Sequence, residues 1–345
     1  MRRIFFLIFV AFLILGCKDK TLNSSNVEMF NSIGMNGEPE CIYFVNPKEG
    51  YLFTNKSDTD WSKVTEEQLD DPNYFPKSND IATIYKTIDG GKNWARLYSL
   101  NDYHFYKTSF IDKNAIYIKI IDSKEVLKNK LLKVDIKINN VTVLNFNFER
   151  MGEIWATNQS IFVDSKNNGK SSIYSTNFNF TKVDSVKENN VFKDKITLLE
   201  NKPFVLTWDN NLYDIEKKEL TNLKDIIPDC IVKKDAESLI IAGKKKNSIG
   251  LLRFDSRTKN TQVIKEFKGY SIVQGLESND KVICGFIGNI KGSFTEYDLI
   301  YSLDQGKTWQ IQELKEKSYI RPNCLVNNIL YIYSGGSRFQ KIVFE

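Results

Sequence analysis

An eight-residue pattern that occurs twice constrains this chain more than any other feature of its sequence. It reads Ser/Thr-x-Asp-x-Gly-x-Asn/Thr-Trp and occupies residues 87–94 and 302–309. Each copy lies between two runs of alternating apolar and polar residues, which indicates a turn that joins antiparallel strands. In such a turn the Asp accepts backbone N–H groups, the Gly adopts positive φ, and the Trp packs beside the turn. The residues predicted to form these turns are Thr87, Asp89, Gly91, Trp94, Ser302, Asp304, Gly306 and Trp309.

The repeated pattern resembles the Asp-box, or BNR repeat, of sialidase-like β-propellers and of propellers similar to photosystem assembly factors. The resemblance implies an all-β fold, a β-propeller. Short β-type runs separated by polar turns continue to the last residue, and grouping them by fours predicts seven four-stranded blades, with six or eight as the alternatives. The last group has only three runs. We therefore expect a strand from residues 27–33 to complete it and to close the ring.

The first 16 residues predict a lipoprotein signal peptide. Arg2 and Arg3 precede an apolar run, residues 4–15, that is too short to span a bilayer comfortably. Residues 14–17 then read Ile-Leu-Gly-Cys, which resembles a bacterial lipobox, so Cys17 is the predicted lipidation site. Acyl chains contribute ~0.8 kcal/mol per buried CH₂ and would hold the protein on the membrane. Cleavage without lipid and an uncleaved anchor helix are the alternatives.

Residues 17–27 form a polar tether after the signal peptide, and residues 28–345 form a single predicted propeller domain. Lys18 follows the cysteine, where enterobacterial retention at the inner membrane uses Asp, so delivery to the outer membrane is favoured. The chain carries a net charge of +5, and +3 without Arg2 and Arg3. That charge is too small for an electrostatic nucleic-acid binder. We expect a bacterial cell-envelope protein whose membrane contact is its lipid anchor alone.

The other four cysteines leave two alternatives open. An even number in an oxidising compartment permits disulfides, but none of the spacings is Cys-x-x-Cys. Because Cys behaves by default as a small apolar residue, we predict buried free thiols. The four are Cys41, Cys230, Cys284 and Cys324.

The sequence lacks the catalytic set that sialidases would require. That family binds the substrate carboxylate with arginines, the first of which lies in an N-terminal Phe/Tyr-Arg-Ile-Pro motif. Residues 319–322, Tyr-Ile-Arg-Pro, have a different order at the other end of the chain. The single histidine, His104, rules out a multi-histidine metal site. We therefore predict no enzyme activity, no cofactor and no metal, while an acid–base pair of carboxylates stays open.

An acidic insertion separates the predicted second and third strands of the first blade. Residues 55–80 contain seven acidic residues and three lysines, and 65–68 predict a capped short helix. Long ordered insertions on a rigid scaffold commonly carry function; the alternative is a solvated flap. In a propeller the insertion would neighbour the loop at 103–105 and share a face with Lys166, Lys170 and Lys244–Lys246. The candidate partner-binding residues are Trp61, Glu66, Glu67, Asp70, Asp71, Tyr74, Phe75, Tyr103 and His104.

These features predict a non-catalytic, membrane-anchored lipoprotein that binds a protein partner at the cell envelope. An assembly factor, a scaffold and an immunity protein that neutralises a toxin all fit this description. The alternative is a propeller that binds glycans or hydrolyses glycosides, because exposed Trp and Tyr side chains suit sugars. A glycosidase would need two carboxylates ~5–10 Å apart in a pocket. A protein-binding surface would instead need a broad patch with an apolar centre.

Overall fold

The chain forms an all-β structure, which confirms the predicted fold class. The computed structural model describes residues 28–30, 37–58, 61–70, 79–111, 114–124, 129–144, 151–156, 160–167, 170–177, 183–188, 196–199, 202–316, 320–334 and 338–344. In these residues 28 strands are accompanied by one short helix, α1 (Glu66–Asp70), and one 3-10 turn (Trp61–Lys63). None of the helices within these ranges has the length and apolarity that crossing a bilayer requires.

The strands assemble into four-stranded antiparallel sheets, of which the described ranges contain seven. Six of these sheets each consist of four consecutive strands, because short turns favour pairing between neighbours in the sequence. Sheet 1 contains β2 (Glu38–Phe44), β3 (Gly50–Lys56), β4 (Ile81–Thr87) and β5 (Ala95–Asn101). Sheet 2 contains β6 (Tyr103–Ile111), β7 (Ala115–Asp122), β8 (Asn129–Asp135) and β9 (Val141–Leu144). Sheet 3 contains β10 (Met151–Ala156), β11 (Ile161–Asn167), β12 (Lys170–Thr176) and β13 (Val183–Glu188).

The second half of the chain repeats this arrangement. Sheet 4 contains β14 (Thr197–Leu199), β15 (Lys202–Leu206), β16 (Asn211–Asp214) and β17 (Glu219–Asn222). Sheet 5 contains β18 (Ile227–Lys233), β19 (Ser238–Lys245), β20 (Ser248–Asp255) and β21 (Thr261–Lys268). Sheet 6 contains β22 (Ile272–Ser278), β23 (Ile283–Lys291), β24 (Phe294–Ser302) and β25 (Gln310–Glu316).

Sheet 7 joins the two ends of the chain. Its strands are β26 (Ile320–Val326), β27 (Ile329–Ser334), β28 (Arg338–Val343) and the N-terminal β1 (Glu28–Phe30). In the antiparallel pair of β1 and β28, Glu28 lies opposite Lys341 and Phe30 lies opposite Phe339. The fourth strand of this sheet thus lies within residues 27–33, the segment in which the sequence predicts it.

Apolar side chains fill the space between successive sheets. Because neighbouring residues of a strand point to opposite sides, Cys41 packs towards sheet 2 and Ile42 packs towards sheet 7. At the junction of sheets 1 and 2, the rings of Phe53 and Phe105 meet edge to face with centroids 5.1 Å apart. At the junction of sheets 7 and 1, Phe44 stacks on Tyr331 with centroids 3.9 Å apart and planes at 4°. Each sheet therefore packs on the next, and sheet 7 packs on sheet 1.

The first strands of three sheets share a Pro-x-Cys sequence that the sequence analysis did not identify. It occurs at 39–41, 228–230 and 322–324, and in each case the pairing with the second strand shifts by one residue there. Proline lacks an N–H group and is tolerated at such a bulge, and the small thiol packs beside it. Cys41, Cys230 and Cys284 are buried and unbridged, as predicted, whereas Cys324 is unbridged but only half-buried.

The first copy of the repeated pattern, which we call the first Asp-box turn, is closed by side-chain hydrogen bonds. The Oγ1 of Thr87 accepts from the Gly91 N–H at 3.0 Å and donates to Asp89 Oδ1 at 2.8 Å. Asp89 Oδ1 also accepts from the Asn93 N–H at 2.9 Å. The indole N–H of Trp94 donates to the Gly91 carbonyl at 3.0 Å. These bonds lower the pKa of Asp89 to about 2, chiefly through the backbone N–H of Asn93.

The second turn repeats the same geometry. The Gly306 N–H donates to Ser302 Oγ at 2.7 Å, and that hydroxyl donates to Asp304 Oδ1 at 2.8 Å. Asp304 accepts the Thr308 N–H at 2.9 Å, and Trp309 Nε1 donates to the Gly306 carbonyl at 3.2 Å. Partial burial raises the pKa of Asp304, but the hydrogen bonds outweigh it and the pKa is lowered. Both boxes are therefore structural turns between third and fourth strands.

Candidate functional site

The loops leave the sheets at two opposite ends. Because successive strands alternate in direction, loops from second to third strands lie at the same end as the connections to the next sheet. We call this end the insertion face, since it carries residues 57–80 between β3 and β4. The opposite end is the box face, which carries the two Asp-box turns at 88–94 and 303–309. The acidic insertion and the boxes are therefore on opposite ends of the sheets.

The insertion contains the predicted short helix. The Thr65 N–H donates to Gln68 Oε1 at 3.0 Å, and the Gln68 N–H donates to Thr65 Oγ1 at 3.3 Å. This reciprocal pair is a capping box, and it places Glu66 and Glu67 in the exposed first turn of α1. Two carboxylates at the N-terminal end of this turn are favourable because its N–H groups point towards them.

The other predicted residues of the insertion are described only in part. Trp61 begins the 3-10 turn and Asp70 ends α1. Asp71, Tyr74 and Phe75 lie outside the described residues.

The two ends of the insertion are tied together at its base. Asp58 accepts two hydrogen bonds from Asn79, from the backbone N–H at 2.6 Å and from the side-chain amide at 2.8 Å. These bonds lower the pKa of Asp58. The two ends of the insertion are therefore held next to each other by these bonds.

The base of the insertion contacts the first strand of sheet 2. Buried Asp80 places Oδ2 3.2 Å from His104 Nδ1, and its carbonyl accepts the Asp102 N–H at 2.7 Å. Asn55, at the end of β3, brackets Phe105: its Oδ1 accepts the Phe105 N–H at 2.7 Å and its Nδ2 donates to the Phe105 carbonyl at 2.9 Å. The structure therefore brings His104 and the base of the insertion together.

The Asp80–His104 pair has a defined chemical capability. A carboxylate beside Nδ1 favours the tautomer that carries its proton on Nδ1, which leaves the Nε2 lone pair available as an acceptor or base. The His104 side chain is one-third exposed. Among the described residues, no group of three or more His, Cys, Asp or Glu side chains is arranged to hold a metal ion. The pair is thus a fixed polar contact between the base of the insertion and sheet 2.

Tyr103 lies beside one lysine of sheet 2, and the preceding residue, Asp102, is paired with another. Lys130 Nζ donates to the Tyr103 hydroxyl and is 4.8 Å from the centroid of its ring. Lys124 Nζ is 2.7 Å from Asp102 Oδ2 in the preceding connection. Next to the acidic insertion, these lysine side chains are therefore held by polar partners.

Lysines dominate the insertion face of sheet 5. Lys244 and Lys246 are exposed at the β19–β20 turn, whereas Lys245 is paired with Glu266 at 2.5 Å. Lys166, near the end of β11, and Lys170, at the start of β12, flank the β11–β12 turn of sheet 3. The insertion face is therefore acidic at sheet 1 and basic at sheet 5, a distribution suited to orienting a charged partner.

Exposed apolar side chains on the insertion face were missed by the sequence analysis. Trp208 is 60% exposed in the β15–β16 turn, and Ile227 is 49% exposed at the start of β18. Ile290 and Phe294, near the β23–β24 turn, are also exposed. The signal was present for Trp208, which lies inside the polar turn sequence Thr-Trp-Asp-Asn, where an aromatic side chain has no core to enter. These side chains add apolar surface beside the lysines.

Comparisons with known proteins identify a fold and no family. No family model and no curated protein matches the chain. The chain is similar to the crystal structure of an oligogalacturonate lyase from Vibrio parahaemolyticus, with a TM-score of 0.58, 9% sequence identity and 95% of each chain covered. At that identity the similarity shows the fold alone.

The prediction that the chain is not an enzyme is contradicted by this comparison. This solved structure, which has a similar fold, is a lyase. The absence of the sialidase catalytic set says nothing about reactions that use other residues on the same fold. The activity and substrate of the lyase do not transfer to this chain on a likeness of fold.

Proposed function

We propose that the chain is a seven-bladed β-propeller lipoprotein that binds a protein partner at the bacterial cell envelope through its insertion face. Each numbered sheet would be one blade. Three observations support the ring: sheets follow one another in chain order, each packs on the next, and sheet 7 packs on sheet 1. Pairing of β1 with β28 would close it. Closure by strands from both termini removes the sheet edges that an open array would expose.

The anchor in this proposal is Cys17. Residues 1–16 would be removed as the signal peptide, and residues 17–27 would tether the propeller to the membrane, with the outer membrane favoured. The basis is the lipobox-like sequence before Cys17 and the polar segment after it. The lipid would hold the protein at the surface where it meets its partner.

The observation that carries the proposed function is the acidic insertion with a fixed base. Asp58 and Asp80 anchor it through Asn79 and His104, so Glu66 and Glu67 are presented on a defined support. A solvated flap would need none of these contacts. Exposed carboxylates on a capped helix lose little conformational freedom when a partner binds.

Affinity purification from envelope extracts tests this function. We expect the Glu66→Lys/Glu67→Lys variant to lose the proteins that co-purify with the parent, because reversed charges repel the partner's basic surface. Glu216→Lys/Asp280→Lys is the matched control, since both residues are exposed on the box face. Identical sets of co-purifying proteins for parent and insertion variant would contradict the proposal.

A second candidate function is binding or cleavage of glycans. Two observations favour it: Trp208 is exposed on the insertion face, and the fold is shared with an oligogalacturonate lyase. Titration of Trp fluorescence with neutral and uronate-containing oligosaccharides tests it. A saturable change that Trp208→Ala abolishes would favour this function over the first.

A further inference from the structure

The insertion face is complementary in charge to itself. Its acidic side is formed by exposed Glu66 and Glu67 on the insertion of sheet 1, the acidic edge, with Lys56 and Lys63 exposed in the same region. Its basic side is formed by exposed lysines of sheet 5 and of the connection that precedes it, the basic edge. The lysines of the basic edge are Lys224, Lys244, Lys246 and Lys268. Asp225 is the exposed acid among them, and Glu266 is neutralised by Lys245.

Apolar side chains lie beside both edges. Ile227, at the start of sheet 5, lies opposite Lys244 of the basic edge, and Trp208 lies in the β15–β16 turn of the preceding sheet 4. Tyr106 in sheet 2 directly follows the residues of β6 that contact the base of the insertion. Its side chain is 47% exposed, and Lys119 Nζ lies 4.3 Å from the centroid of its ring. An interface needs such large side chains near its centre, because aromatic residues supply most of the binding energy.

We propose that the insertion face binds a second copy of this chain in a twofold-symmetric dimer. The inference rests on the proposed function, since it takes the same face of the same ring and names its partner. In a symmetric dimer, contact of the acidic edge with the partner's basic edge occurs twice. Each acidic edge then contacts the basic edge of the other copy, so both charged edges of both copies are paired.

The order of the sheets fixes the axis of this dimer. If two seven-membered rings face each other with sheet 1 over the partner's sheet 5, the same rotation places sheet 2 over sheet 4 and sheet 3 over sheet 3. Trp208 of each copy would then lie over the region of Tyr106 in the other. The charged pairing and the aromatic pairing are thus produced by a single twofold axis.

The same axis is compatible with two lipid anchors in one membrane. It passes through sheet 3 and, on the opposite side of the ring, between sheets 6 and 7. The N-terminal strand β1 belongs to sheet 7, so the N-terminal strands of both copies would lie beside that boundary. With the axis along the membrane normal, both tethers would point to the same bilayer. Confinement on a membrane raises the effective concentration of the copies and favours a weak dimer.

A charge-exchange experiment on the mature lipoprotein in detergent tests the dimer. Light scattering that resolves protein mass from detergent mass should report a dimer at low salt that dissociates as salt is raised. Glu66→Lys/Glu67→Lys and Lys244→Glu/Lys246→Glu should each weaken self-association about tenfold or more, because both contacts become repulsive. A mixture of the two variants should form a heterodimer, since both contacts are then between opposite charges.

Two controls keep the result specific. Lys92→Glu/Lys307→Glu reverses exposed lysines on the box face and should leave self-association unchanged. Trp208→Ala should weaken the dimer without a change in its salt dependence, because it removes apolar contact alone. Thermal melting of every variant separates lost association from lost folding.

The outcomes separate this inference from the proposed function. A parent that is monomeric at every concentration, or paired variants that fail to form a heterodimer, would overturn the dimer. If the insertion variant still loses envelope proteins in that case, partner binding by this face stands without self-association. If the heterodimer forms, the second copy is the partner of this face.

Discussion

Two short hydrogen-bonded networks show how single residues stabilise this chain. In each Asp-box one carboxylate satisfies N–H groups that the turn leaves without strand partners, and one indole closes over the glycine carbonyl. Because all of these partners lie within eight residues, the sequence alone is enough to predict them. The contact of Asp80 with His104 has no such local signal, since it joins residues 24 positions apart across two sheets.

Removal of the second box should destabilise the fold. Asp304→Ala leaves the Thr308 N–H and the Ser302 hydroxyl without their acceptor, and we expect a loss of about 1–2 kcal/mol of unfolding free energy. Trp309→Ala should cost about 2–3 kcal/mol, less than a fully buried Trp, because Trp309 is half-buried against Phe267. Denaturant titration measures both. Unfolding free energies within 0.3 kcal/mol of the parent, roughly the error of such comparisons, would contradict the structural role.

The first box should make stability depend on pH in the acid range. The folded pKa of Asp89, about 2, is lower than its ordinary value of 3.8. Its contribution is therefore complete above about pH 4 and is lost as the pH falls through about 2. Asp89→Asn removes the titrating group, so its unfolding free energy should fall less between pH 5 and pH 2. Parallel curves for parent and variant would contradict this assignment.

At the scale of elements, strand rhythm and turn chemistry predict the sheets well. Seven groups of strands and a strand near residue 28 follow from the alternation of apolar residues and from the three-stranded last group. The Pro-x-Cys bulges and exposed Trp208 do not follow from that alternation, because a bulge changes register locally and a turn aromatic breaks the rule that loops are polar. The bulges can be found only from the pairing register, whereas the exposure of Trp208 could have been predicted from its place inside a polar turn sequence.

The last strand should be essential although it ends the chain. Removing residues 341–345 deletes buried Ile342 and Phe344 and the partner of Glu28. We expect a loss of more than about 4 kcal/mol, comparable with the stability of many domains. Circular dichroism during heating measures the effect. A truncated protein that melts within a degree or two of the parent would show that sheet 7 does not depend on this strand.

At the scale of the whole molecule, the proposed anchor makes a direct prediction. Cys17→Ser should produce a folded protein that leaves the membrane fraction, because the lipid would be its main attachment. Fractionation with and without metabolic labelling by a fatty acid checks this. Continued sedimentation of the variant with membranes would count against lipidation.

The faces of the molecule differ in how far the sequence predicts them. Opposite placement of insertion and boxes follows from strand order alone. The charge contrast between sheets 1 and 5 follows once the sheets are placed in order, since Glu66, Glu67, Lys244 and Lys246 are all visible in the sequence. Enzyme activity cannot be predicted in this way, because an active site on such a fold is formed by side chains that converge from several sheets.

Site-specific photo-cross-linking in intact cells tests the central claim most directly. A photoreactive amino acid would replace Glu67 or Trp208 on the insertion face, and Ile88, which is 74% exposed, on the box face. We predict adducts of defined mass with a protein, whether another protein or a second copy, at positions 67 and 208, and none at position 88. Adducts confined to position 88, or no adducts at positions 67 and 208, would contradict the assignment of the insertion face as the binding surface.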